Sequence, residues 1–276
     1  VLVGQSSWTG RFKNVANTNT PSQKSLFYPR GINVDGTGRM SIADYENNRV
    51  LIWNTIPTTN YENADHVIGQ PSFVTRTANH GGRSASSLYR PFHVNSRGPD
   101  FFVTDYSNHR VLVWNSLPTG MAPAADFVVG QVNMAGASAG ATNVRLSGPG
   151  AAGVAGGKLF IVDRNNHRLV VHNSIPVSDY EPHDYFLLTS EMVRNTANDT
   201  GATSATRLKD PREVAVTPDG KTIVADYANN RVLIWNTPRG AGSPADIVLG
   251  QPNMTSNFYN IDKSTVGSSS LYAPMG

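Results

Sequence analysis

The chain has 276 residues, a formal net charge of +3 at neutral pH, 39% hydrophobic and 16% charged residues, 25 glycines, 17 prolines and no cysteine. Without cysteine there is no disulfide scaffold, no thiolate-held zinc and no thiol nucleophile. Basic residues are scattered rather than run together, so the charge does not call for nucleic acid. No apolar run approaches the roughly 20 residues of a membrane helix.

Sparse charge with abundant Asn, Ser, Thr and Gly predicts an all-β, loop-rich chain. In chain order, the elements are copies of one unit. Val1-Leu-Val-Gly-Gln5 opens as the end of a strand, so an upstream segment is expected. Leu26 leads Pro29 by three residues, and Gly31-Ile-Asn-Val-Asp35 is the first strand of a unit. Gly36-Thr-Gly38 turns it into a second strand over 41–44. Asp44-Tyr-Glu-Asn-Asn-Arg49 is a tight turn into a third, Val50-Leu-Ile-Trp53. Val67-Ile-Gly-Gln70 is the fourth, followed by a segment from Pro71 to Ser87 rich in Ser, Thr, Asn, Gly and Ala.

The unit then begins again. Asp105 to Arg110, Asp163 to Arg168 and Asp226 to Arg231 repeat the tight turn, so the marker Asp recurs in steps of 61, 58 and 63 residues. Prolines 29, 91, 149, 211 and 274 each follow a leucine by three: Leu26, Leu88, Leu146, Leu208 and Leu271. The Gly-Gln strand returns as Val128-Val-Gly-Gln131 and Val248-Leu-Gly-Gln251, and in altered form as Phe186-Leu-Leu-Thr-Ser190.

Second and third strands that are apolar on both faces belong between neighbouring sheets. Four-stranded sheets in series, each too small to bury both faces alone, make a β-propeller. Five Gly-Gln strands against four tight turns predict a single propeller over 1–276 that is incomplete at both ends. Residues 1–5 are then the outer strand of a split blade and 271–276 the start of the next, with five or six blades in the whole molecule.

Asp-x-x-Asn-Asn/His-Arg followed by an apolar strand, with Pro-x-Gly and an Asp-Gly hairpin before it, resembles the NHL repeat of β-propellers. The resemblance covers nearly the whole chain in four copies, although the unit here is longer by about 15–20 residues after each Gly-Gln strand. NHL propellers include enzymes, RNA binders and protein-binding scaffolds, so the resemblance implies the fold more than the activity.

An Asp/Arg pair present in every blade points to architecture rather than to one site. His109 and His167 stand where Asn48 and Asn230 stand, which points to turn chemistry. Trp53, Trp114 and Trp235, with His172 at the fourth equivalent position, are expected to pack between blades. The expected binding residues are Tyr45, Tyr106, Arg164 and Tyr227 on the long-loop face, with Arg30, His93 and Arg212 at the channel mouth. No catalytic motif, metal site or cofactor is assigned. The function expected is a non-enzymatic secreted, periplasmic or cell-surface module that binds a protein or glycan, without membrane insertion or nucleic acid. The alternative is a metal-dependent lyase or lactonase-like enzyme using His93 and Glu213 at the channel.

Overall fold

The computed structural model describes residues 1–15, 17–187, 197, 201–237, 240–260 and 266–275. Leu188 to Ser190 of the altered Gly-Gln copy lie outside the described residues. The chain is all-β, and its strands form four four-stranded antiparallel sheets, the blades of a β-propeller, each in simple chain order. The first blade holds β1 (Pro29–Val34), β2 (Met40–Asp44), β3 (Arg49–Trp53) and β4 (His66–Ile68). The second holds β5 (Pro91–Arg97), β6 (Asp100–Asp105), β7 (Arg110–Trp114) and β8 (Phe127–Val129). The third holds β9 (Pro149–Ala155), β10 (Lys158–Asp163), β11 (Arg168–His172) and β12 (Tyr185–Leu187). The fourth holds β13 (Val214–Val216), β14 (Thr222–Asp226), β15 (Arg231–Trp235) and β16 (Ile247–Leu249).

The chain divides into two compact units. One comprises Val1–Ala137 with Ser178–Tyr180 and carries the first two blades; the other comprises Ser138–Val177 with Glu181–Gly276 and carries the last two. Within the first unit, Val50, Ile52 and Ile68 of one blade meet Val94, Phe101 and Trp114 of the next in one core. Phe160, Val162 and Val171 meet Val214, Val224 and Trp235 in the same way in the second unit. β2, β3, β6 and β7 are therefore buried on both faces, as their unbroken apolar runs require, apart from the first residue of β6.

The Gly-Gln motif has a steric reason. Gly69 has φ +86°, and a Cβ placed there falls 2.6 Å from Leu88 Cδ1. The leucine that precedes each proline thus seats in a socket floored by a bare glycine, and Gly4 with Leu26 and Gly250 with Leu271 repeat the arrangement. Leu26, Leu88, Leu146 and Leu208 are buried, while Leu271 is half-buried. Val1-Leu-Val-Gly-Gln5 makes a single parallel bridge, Gly4 to Ser25, rather than a strand of a sheet. Gly69→Ala is expected to lower the unfolding free energy by about 2–4 kcal/mol, combining left-handed backbone strain with overpacking against Leu88. A shift in the urea midpoint measures it.

Candidate functional site

Each tight turn is a single 3-10 turn whose last position lies in the left-handed region, occupied by Asn48, His109, His167 and Asn230 at φ 53–55°. Just before it lies the Asp that organises the blade end. Asp44 Oδ2 accepts from Arg49 Nε at 2.8 Å and from Asn47 Nδ2 at 2.7 Å, and Oδ1 accepts from the Phe27 N–H at 2.6 Å. Arg49 then donates to the carbonyls of Phe73, Ser22 and Ser25, at 2.5, 2.9 and 2.8 Å. The guanidinium is entirely buried and fastens the long polar loops on both sides of its blade. Arg110 does so through Met134, Ser84 and Ser87, and Arg231 through Met254, Ser204 and Arg207. Arg168 binds the carbonyls of Ala141, Thr142 and Arg145. Burial pushes the four aspartate carboxyls up from their ordinary value while the paired guanidinium pulls the other way.

The left-handed position also explains why Asn and His interchange. Asn48 Oδ1 accepts from the Arg90 N–H at 2.9 Å, His167 Nδ1 from the Asp210 N–H at 3.0 Å and Asn230 Oδ1 from the Ala273 N–H at 3.0 Å. Arg90, Asp210 and Ala273 each precede a proline and each has a positive φ, a conformation the following proline disfavours. A short side chain with an acceptor is what the latch needs, and amide and neutral imidazole both supply it.

The latches and hubs support two clusters of aromatic and guanidinium groups. In the first unit Tyr45 and Tyr106 lie 6.4 Å apart, with Phe92 at 6.0 and 5.7 Å from them. Arg30 sits over Tyr45 and Phe92 at 5.3 and 5.4 Å, and Arg90 over Tyr45 at 5.6 Å while pairing with Glu46 at 3.2 Å. In the second unit Arg212 stacks on Tyr227 at 4.1 Å. Asp210 accepts from both Arg164 Nε at 2.6 Å and Arg212 Nη2 at 2.7 Å. Tyr45 with Tyr106 and Arg30, and Arg164 with Tyr227 and Arg212, are thus brought together inside their own units. Phe92, Arg90 and Asp210 join them without a sequence signal of their own.

His93 lies apart from the ring cluster. It is buried, and a Cβ on Gly31 would fall 2.8 Å from its Cα and 3.2 Å from its Cδ2, so β5 presses on β1 at that point. Burial lowers its pKa to about 4. Glu213, at the start of the fourth blade, is raised to about 7 by burial. His172, in the place of the tryptophans, meets His183 edge to face with Nε2 2.9 Å from His183 Nδ1. His183 occupies the position held by Ala64, Ala125 and Ala245 in the other blades. A Trp and a small neighbour are replaced here by two rings that fill the space jointly. Among the described residues no three His, Asp or Glu side chains converge on a point suited to a metal ion.

No protein-family model matches the chain. No curated protein matches it either. Solved structures do. A Lactobacillus plantarum protein is 12% identical with a TM-score of 0.47, covering 78% of this chain and 53% of that one. A provisionally assigned 6-phosphogluconolactonase from Bacteroides fragilis is 16% identical with a TM-score of 0.47, covering 86% and 58%. A nidogen/laminin complex contributes a chain 13% identical with a TM-score of 0.42, covering 76% and 60%. The chain thus spans between one half and three fifths of the length of each of these structures.

Proposed function

We propose that the chain is an NHL-type propeller serving as a non-enzymatic, secreted or cell-surface module that binds a protein or glycan. The observation that carries this reading is the cluster of Tyr45, Tyr106, Phe92 and Arg30 in the first unit. Four large groups, three of them aromatic, are held edge to face at a blade end by a fully buried Asp/Arg hub. Aromatic and guanidinium groups held this way dominate recognition surfaces because they lose little freedom on binding. Long loops pinned at both ends add an adaptable polar rim. Among the described residues no helix is long and apolar enough to cross a membrane.

Screening the intact chain against arrays of immobilised glycans and proteins tests the reading. A saturable ligand is expected, and Tyr45→Ala with Tyr106→Ala should weaken it by about 30-fold, the effect of losing one hot spot. The thermal midpoint should move by only a few degrees, because both rings are half-buried. Capture that survives both substitutions would show that the rings only pack. The lyase or lactonase reading draws on Glu213, whose raised pKa suits a proton donor near neutrality. Metal analysis of the purified protein, with Glu213→Gln as the control, separates it from the binding reading.

A further inference from the structure

The internal repeat allows one blade to be compared with another, and the comparison points to a ligand. Phe27-Tyr28-Pro29-Arg30 of the first blade aligns with Lys209-Asp210-Pro211-Arg212 of the fourth. The backbones agree closely. Tyr28 and Asp210 have φ 51° and 49°. The N–H groups of Phe27 and Lys209 donate to Oδ1 of Asp44 and Asp226, at 2.6 and 2.8 Å. Arg30 and Arg212 lie over the equivalent rings Tyr45 and Tyr227.

The anion differs. In the fourth blade, the Asp210 carboxylate sits on Arg212 Nη2 at 2.7 Å and the Arg212 side chain is only 14% exposed. In the first, Tyr28 stands in that place, is 66% exposed, and supplies no charge. Among the described residues Arg30 has no hydrogen bond and no ion pair. Its guanidinium is nonetheless oriented, because two aromatic faces hold it.

Resting on the binding-module reading, we propose that Arg30 receives the carboxylate of an aspartate-bearing turn of a partner protein, as Arg212 receives that of Asp210 within the chain. The charge balance agrees: Arg30 and Arg90 face a single acid, Glu46. Beside Tyr28 and Pro29 a groove of about 510 Å³ is lined by Arg11, Lys13 and Phe12. A further acidic residue of the partner would be drawn to it. The occupant is a protein turn because the internal counterpart is one, with a short carboxylate stem on a left-handed backbone before proline. Charge-assisted bonds to a guanidinium set in place on two rings are the strong class of hydrogen bond.

The test uses the whole chain with 15N-labelled arginine, following the Arg30 Nε–Hε resonance during titration. The probe is acetyl-Lys-Asp-Pro-Gly-amide, with the Asn peptide and glucuronate as comparisons. A saturable shift with the Asp peptide is expected, with at least tenfold weaker response to the Asn peptide and to glucuronate. Arg30→Gln should remove the response. Tyr28→Asp is the decisive variant, because it supplies the carboxylate in cis. It should weaken the Asp peptide at least tenfold while the backbone amide spectrum stays folded, and Tyr28→Asn should leave affinity within twofold of wild type.

Equal response to the Asp and Asn peptides, or unaltered affinity in Tyr28→Asp, would overturn the proposal. Glucuronate binding as tightly as the peptide would overturn the assignment to a protein turn. A silent Arg30 combined with capture lost on tyrosine truncation removes this proposal and leaves the binding-module reading standing. A responsive Arg30 with capture indifferent to both tyrosines removes the tyrosine surface alone.

Discussion

Arg110→Met is expected to lower the unfolding free energy by about 3–5 kcal/mol, the cost of leaving a buried charge without its partner. The side chains of Arg110 and Asp105 are both 0% exposed, so water cannot replace the lost partner. Methionine keeps much of the stem volume, which isolates the charge from the packing. Three loop carbonyls, those of Met134, Ser84 and Ser87, lose their donor as well. Against a total stability of about 5–15 kcal/mol, one hub is a large share. Replacing Asp105 by Asn in the same chain should recover part of the loss, since a neutral amide no longer demands a counter-charge. Urea unfolding of the single and double variants measures both numbers, and a loss under about 1 kcal/mol would show the pair to be dispensable.

Acid provides the second large effect. His93 and His172 are each depressed from about 6.5 to about 4 by burial, in different units. A depressed folded pKa means that the unfolded chain takes up protons first, so the stability is fully present above pH 6.5 and is lost as pH falls towards 4. Each histidine is expected to account for about 2 kcal/mol between pH 6.5 and 5, and about 3 kcal/mol once pH 4 is reached. Asp184 and Glu181 favour the charged form of His172, whereas Arg168 and His172 itself oppose charge on His183. His93→Gln should shrink the stability difference between pH 7.5 and 5 by about 2 kcal/mol. An unchanged difference would mean that the ring gains its proton in the folded state at no cost.

The blades were legible because every copy solves the same burial problem with the same residues. Apolar third strands, Asp-Arg turns and Gly-turned hairpins recur at fixed spacing, and the structure forms them at those places. The site was legible only in part. Tyr45, Tyr106 and Tyr227 stand out because they recur on the hairpins. Phe92 does not, since it looks like any core hydrophobe until it is set beside Arg30 and Arg212 at the same repeat position. His93 aligns with Gly31, Ala151 and Glu213 instead, one step along a strand whose side chains alternate between faces. Asp210 and Arg90 were hidden for another reason. Their partners lie more than forty residues away, so no local pattern announces them. The socket under Leu88 is similarly silent, because a glycine's missing side chain leaves no mark in periodicity.

The reach of the buried arginines bears on how such a chain can be cut and copied. Arg49 takes its acceptors from Ser22 and Ser25 before its sheet and from Phe73 after it. The segment that recurs in the sequence is therefore offset from the segment that is physically self-sufficient. Excising one sixty-residue period strands a guanidinium at whichever end the cut falls, whereas duplicating a whole period in tandem restores every acceptor. Growth by tandem duplication is thus conservative for this architecture, and isolated modules are not, which gives the repeat number a grain along which it can change.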